Sequence, residues 1–322
     1  MSEPAIAIIL PVFGDFRAFT KTLQHLHAQT LRDQLEIVVV VTPVSAPTVD
    51  ESLLTGFHNY QVITIPVMPT GGDAFAAGIL AAHSRLVTLA EDHSFAESTW
   101  AEAMLSAHEG DYSAVSPAMA NGNPDSLVSW GNFLLCFIEW FDPPGSGNVD
   151  SLPGHNAVYK RAALLPFESE LNEMLRSERM LHYRMRMQNQ KLYMAAQVQM
   201  NHVNISRLRP FLDHSFHGGR IFGALRAREW SLLKRLVYTL AAPLVPLVRQ
   251  RRIYRTLAHT KQDHRSLFFR ALPLTSIGLC AHALGEVVGY HFGTGNSQTI
   301  YLNFELDRRR FLLPEERELF ER

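Results

Sequence analysis

The chain has 322 residues, 47% hydrophobic and 19% charged, which is enough apolar material for a full core and excludes a disordered chain. Its net charge of −1 conceals an uneven distribution: residues 1–160 carry 5 basic against 17 acidic side chains, whereas 206–270 carry 14 basic against 3 acidic. The two cysteines, Cys136 and Cys280, exclude a disulfide framework or a thiolate zinc site, and the opening MSEPAIAIIL lacks the basic region and cleavage site of a signal peptide, so a cytoplasmic location is expected.

In chain order, AIAIILPVF (5–13) is a continuous Ile/Val-rich run that reads as a buried parallel strand. Gly14 and Asp15 turn it into a helix, DFRAFTKTLQHLHA, with Phe16, Phe19, Leu23 and Leu26 at helical spacing. LEIVVVV (35–41) is a second buried strand, followed by a helix around VDESLLTGF. YQVITIPV (60–67) is a third strand. A Gly-Gly turn at 71–72 and an Ala-rich helix, AFAAGILAA, lead to LVTLA (86–90), and YSAVSPAM (112–119) is a fifth strand. This alternation predicts an α/β fold with a mainly parallel sheet covered by helices. Neither GxGxxG after the first strand nor GxxxxGK[ST] is present, so the dinucleotide and P-loop fingerprints are missing.

The site candidate follows LVTLA, where the strand ends abruptly in Glu91, Asp92 and His93 before a helical pattern resumes at Glu97. Ligands bind beyond the carboxyl ends of strands in open α/β sheets, and His with carboxylates suits a divalent cation. The plainer reading is an acidic helix cap made by Asp92 or Ser94, with His93 incidental. A first half so poor in cations holds a phosphorylated ligand only with help from a metal, helix N-termini or basic residues arriving later.

After residue 120 the aromatic stretch LVSWGNFLLCFIEWF reads as core more readily than as an acceptor wall. SLPGHNAVYKRAAL (151–164) offers His155 and Asn156 after a glycine turn. SERMLHYRMRMQNQ (177–190) is a helix with Ser177 as its cap, and KLYMAAQVQM is a strand ending near His202 and Asn204. From 205 to 270 basic and apolar residues interleave in amphipathic helices. The apolar run from Leu236 to Val248, interrupted by Pro243 and Pro246, is too short for the roughly 20 residues a bilayer span needs. The stretch at 271–293 is longer but contains His282 and Glu286. Contact with an anionic membrane surface is expected here, against a helical hairpin or homo-oligomer contact, and nucleic acid is not expected because no binding motif accompanies the basic run. The closing FLLPEERELFER reads as a short surface helix.

These residues together resemble the family-2 glycosyltransferases, the nucleotide-sugar-dependent GT-A type found among bacterial enzymes of cell-surface polysaccharides. The resemblance runs from about residue 5 to 204. It is carried by IAIILPVFGDF as the opening strand and turn, AFAAGILAAHSRLVTLAEDHSF leading into a DxD-type position, LPGHNAVYKRAAL on the acceptor side, and SERMLHYRMRMQNQKLYMAAQVQMNHV. It implies a GT-A Rossmann-like domain over 1–205, with 206–322 as a basic amphipathic helical extension at the inner face of the cytoplasmic membrane. It further implies an inverting, metal-dependent transfer of a sugar from a nucleotide-diphosphate donor to a hydroxyl of a glycan or lipid-linked acceptor. Pro11 and Phe13 would line the base, and Glu91, Asp92, His155, Asn156 and Arg161 would bind the donor. His93, Asp92 and His202 would hold Mn²⁺ or Mg²⁺, and Glu178, with Glu170 and Glu173 as neighbours, would be the catalytic base. Val41 and Thr42 stand where many relatives have an acidic residue, and Ala74, Phe75, Ala76, Ala77 and Gly78 stand where they have ARNxG. The alternative reading is a catalytically diverged scaffold in a polysaccharide-assembly system. A metal-dependent hydrolase is a third, without HExxH to support it.

Overall fold

A computed structural model describes residues 3–175, 178–306 and 308–320. Strands β1 (Ile6–Val12), β2 (Leu35–Val41), β3 (Asn59–Thr64) and β4 (Leu86–Leu89) alternate with α1 (Thr20–His27) and α2 (Gly71–Ala81). Then follow β5 (Ser94–Ala96), α3 (Trp100–Ala107), β6 (Ala114–Asn121), α4 (Leu127–Phe137), β7 (Gly147–Asn148) and β8 (Val158–Lys160). Short helices α5 (Arg161–Leu164) and α6 (Leu171–Met174) precede α7 (Glu178–Met187) and β9 (Leu192–His202). The chain closes with α8 (Leu208–Arg226), α9 (Leu232–Ala241), α10 (Leu244–Leu257), α11 (Arg265–Phe292) and α12 (Ser297–Leu306).

The α/β class, the helix-flanked sheet and the C-terminal helical region are those read from the sequence. The sheet order is β3-β2-β1-β4-β8-β6-β9-β5, with β7 on β9. Its first four strands are parallel, and every residue of β1 and β2 is buried. Beyond β4 the sheet continues antiparallel through β8, and β5 pairs antiparallel with β9. Alternating pieces of chain of two or three residues, β5, β7 and β8, leave no period to read in the sequence.

Several elements differ locally from expectation. The chain around Glu51–Leu54 is a 3-10 turn, and Phe16–Phe19 is a 3-10 turn leading into α1. The Gly-Gly pair at 71–72 is the first turn of α2: the Asp73 carboxylate accepts from Thr70 N (3.0 Å) and Thr70 Oγ1 (2.6 Å), a capping arrangement that fixes the helix start despite the glycines. The pattern resuming at Glu97 becomes helical only at Trp100, because Ser94–Ala96 first joins β9 as a strand. Glu36, at the beginning of the apolar β2 run, is fully buried. Burial pushes its carboxyl up, but hydrogen bonds from Ser84 and His83, side chain and backbone alike, outweigh this and hold it below the ordinary value.

The chain divides into two compact units, one of residues 3–120 with 142–202 and one of 121–141 with 203–320. In the second unit the aromatic stretch is core, as Phe133, Trp140 and Phe141 are buried and Trp130, Phe133 and Phe141 meet edge to face. Its tail is partly internal: Glu316 is buried, accepts hydrogen bonds from Ser206 and Asn123, and is raised in pKa chiefly by burial, so FLLPEERELFER is not simply a surface helix. Helix α11 is long and apolar enough to cross a membrane by length and composition. Its small residues instead meet α8 backbone to backbone: a Cβ at Gly219 or Gly223 would lie 2.1 or 2.4 Å from the carbonyl oxygens of His282 and Glu286. Reciprocally, a Cβ at Gly285 or Gly289 would lie 2.1 or 2.3 Å from the carbonyl oxygens of Phe216 and Arg220.

That contact predicts that Gly223→Val destabilises the second unit by about 3 kcal/mol or more, the upper end of overpacking costs, because backbone must move. Gly145→Ala, where nothing lies within 4 Å of the added carbon, shifts stability by less than about 0.5 kcal/mol. Urea midpoints of the two variants against the parent chain check the contrast.

Candidate functional site

The carboxyl ends of β1 and β4 lie side by side, because Ile9 pairs with Leu89 and Ala90 N donates to Ile9 O at 3.1 Å. Glu91 therefore emerges at the edge where a parallel sheet presents ligands. Its backbone oxygen accepts from Thr22 Oγ1 (3.0 Å) on α1. Its carboxylate accepts from Ser94 Oγ (2.6 Å) and Asn156 Nδ2 (3.2 Å). Ser94 thus serves Glu91 from within a strand and caps no helix.

Three imidazoles converge on the same carboxylate. His93 Nε2 lies 4.0 Å, His202 Nε2 3.8 Å and His155 Nδ1 3.5 Å from its oxygens. His202 arrives on β9, whose register sets it opposite Ser94, and the rings of His93 and His202 meet edge to face with centroids 4.8 Å apart. Glu91, His93 and His202 each offer one ligand atom, all within 4.8 Å of one another. Metal–ligand bonds of about 2.1 Å place neighbouring ligands roughly 3–3.5 Å apart, so a small contraction fits them around one cation.

Asp92 sits behind this group. Its Oδ1 is 2.6 Å from His93 Nδ1, which turns Nε2 toward Glu91, the carboxylate–imidazole arrangement that orients metal-binding histidines. Of the adjacent carboxylates it is Glu91 that joins His93 and His202, and Asp92 holds the ring.

Asn156 and His155 belong to the loop before β8. Asn156 N donates to Leu89 O at 2.7 Å, and its φ of 67° is left-handed, a conformation asparagine tolerates. His155 Nδ1 is also 3.3 Å from Glu178 Oε1, so one imidazole links the Glu91 and Glu178 carboxylates. Phe75, on α2, sets its ring at a tilt of 57° against His155, with centroids 5.4 Å apart. Glu178, on the first residue of α7, packs over Gly154, where a Cβ would lie 1.9 Å from Glu178 Cγ; only glycine lets the carboxylate in. Ser177, the expected cap, lies outside the described residues. Glu170 instead pairs with Arg184 (3.6 Å).

Pro11 pairs with Val40 at the same carboxyl edge of the sheet, and Phe13 follows it, half-buried. Arg161 does not join them. Antiparallel pairing carries β8 from Thr88 back to Leu86, toward the amino end of β4. There Arg161 donates to the carbonyls of Ile79 (2.8 Å) and Leu80 (3.0 Å) at the end of α2.

Sequence reading passed over the support beneath the loop. His182, one turn beyond Glu178 on α7, accepts from Leu152 N at Nδ1 (3.4 Å). Its Nε2 is 2.9 Å from Tyr159 Oη, which donates to Gly154 O at 3.3 Å. The chain of bonds requires a neutral imidazole; burial, helped by Arg179 and Arg186, lowers His182 to a pKa of about 3. The signal was the i, i+4 spacing from Glu178, which puts both side chains on one face.

No family model matches the chain, and no curated protein does. Among solved structures it is similar to residues 1–349 of S. aureus TarS, a crystal structure in complex with UDP. That similarity has 13% identity and a TM-score of 0.44, covering 92% of this chain and 91% of that one.

The His182 chain makes the loop acid-sensitive. Above pH 6.5 neither state binds a proton there; between 6.5 and about 3 the unfolded chain takes up a proton that the buried ring refuses, so stability falls as pH falls. Urea titrations at pH 6.5 and 5 should show a loss of up to about 2 kcal/mol from this residue. The loss shrinks by that amount in His182→Asn; equal losses in both proteins would place the acid sensitivity elsewhere.

Proposed function

We propose that the first unit is a nucleotide-sugar-dependent, metal-dependent inverting glycosyltransferase. The observation that carries this reading is the convergence of Glu91, His93 and His202 on one point at the carboxyl edge of the parallel strands, with Glu178 one imidazole away. Glu91, His93 and His202 would hold a divalent cation, which supplies positive charge to a diphosphate leaving group. Two imidazoles in the set favour Mn²⁺ over Mg²⁺.

The protein's own groups divide the remaining work. Asp92 holds the His93 tautomer, while Ser94 and Asn156 satisfy Glu91 and fix the direction of its oxygens. Pro11 and Phe13 offer an apolar edge for the base. Glu178 accepts the proton of the acceptor hydroxyl as that oxygen attacks the anomeric carbon, so a single base suffices and no covalent intermediate forms. His155, beside both carboxylates with Nδ1 3.3 Å from Glu178 Oε1, keeps Glu178 aimed. Residues 3–120 with 142–202 would then be the catalytic unit, acting in the cytoplasm on a glycan or lipid-linked hydroxyl.

A donor set of two imidazoles and one carboxylate also suits a metal-activated water, which would make the site hydrolytic. Calorimetric titration of UDP-, GDP- and dTDP-sugars, with and without Mn²⁺, separates the readings. The expected result is metal-dependent binding of one nucleotide class that disappears in His93→Ala and His202→Ala. No binding in any combination would sink the donor site and favour the scaffold reading, whereas Mn²⁺-dependent release of free sugar without an acceptor favours hydrolysis. Once an acceptor is found, Glu178→Gln should keep donor binding and lower transfer by about 10²- to 10⁴-fold, the range for loss of a general base.

A further inference from the structure

Helix α9 has no buried residue at all. Leu232, Leu233, Leu236, Val237 and Leu240 are 47–82% exposed and recur at helical spacing on one face. Helix α10 continues the pattern with Leu244, Leu247 and Val248, 58–67% exposed. Adding seven to 244 and 248 reaches Arg251 and Arg255, both exposed, so the outward face of α10 is apolar over its first turn and then cationic. From Leu232 to Leu257 the chain carries six basic side chains and no Asp or Glu.

A soluble surface leaves single apolar residues exposed, not eight on two consecutive helices. The buried side of the pair is anchored elsewhere in the second unit: Arg235 donates to Trp230 O and Ala227 O, Thr239 Oγ1 lies 2.8 Å from His291 Nε2, and Arg249 donates to Leu135 O. The apolar face is therefore held outward by specific bonds on its opposite side. A cavity of about 210 Å³ lined by Tyr238, Leu244, Val245, Val248 and Tyr290, with Arg226, adjoins the same two helices and is apolar enough to take a segment of lipid tail.

We propose that α9 and α10 form a docking face for an anionic phospholipid bilayer. The apolar residues seat among the acyl chains at the headgroup boundary, and Lys234, Arg251 and Arg255 meet the lipid phosphates. A second copy of the chain suits the face less well, because two faces carrying Lys234, Arg251 and Arg255 and no acid repel on meeting. The proposal stands on the second unit alone and does not depend on the chemistry read for Glu91 and its neighbours.

The test is co-sedimentation of the full chain with phosphatidylcholine vesicles, and with the same vesicles containing about one quarter phosphatidylglycerol. The expected result is at least tenfold tighter binding to the anionic vesicles, weakening in 1 M salt, where screening contracts from about 8 to 3 Å. Arg251→Glu with Arg255→Glu should weaken binding by about 30-fold or more, at roughly fivefold per charge. Leu240→Asp with Leu247→Asp should abolish it, with circular dichroism confirming that both pairs of substitutions leave the helices intact. Equal partition to the two vesicle types, or none to either, overturns the proposal. Light scattering that finds a dimer with no vesicle binding also overturns it and assigns the face to a second copy.

Discussion

The crowding of Glu91 is the constraint on which the first unit turns. A carboxylate at the edge of a buried sheet needs donors or positive charge, and this one receives a serine hydroxyl, an asparagine amide and three imidazole edges from three separate segments. The strand order makes that possible. Because β4 lies between β1 and β8, the loop before β8 crosses the end of β4, and because β5 pairs with β9, the end of β9 is delivered beside it. A charge that no single element satisfies thus ties together distant parts of the chain, and the same arrangement brings ligand atoms of Glu91, His93 and His202 within 4.8 Å of one another.

The second unit depends on a different kind of contact. Four glycines let α8 and α11 touch along their backbones, which removes from α11 the need to bury every apolar residue in side-chain packing. Helices α4 and α10 also lean on α11, so its length is used as a spine. With that spine complete, α9 has no core left to enter, and its leucines face outward.

Much of this was legible in the sequence where patterns were long. The runs at 6–12 and 35–41 are strands because nothing polar interrupts them except Glu36, whose partners at 83 and 84 no period could reveal. The start of α2 was hidden by Gly71 and Gly72, although Thr70 and Asp73 stand at capping spacing. The site was half legible: a strand ending in Glu91, Asp92 and His93 marks the place, and the order of later motifs brings in His155, Glu178 and His202. Which of two neighbouring carboxylates faces the histidines depends on the twist of the chain leaving β4, and this cannot be read from adjacent letters. Arg161 was misplaced for a similar reason: the antiparallel direction of β8, invisible in a three-residue strand, carries it to the far end of the sheet.

Asn156 carries a consequence for how this chain can vary. Its left-handed backbone is at home with glycine, aspartate or asparagine and with little else. Glycine would keep the loop but leave Glu91 one donor short. Aspartate would keep the loop but replace the amide donor with a second negative charge set against Glu91. Only asparagine meets both demands, so among descendants of this chain the letter at 156 records which chemistry the pocket has kept.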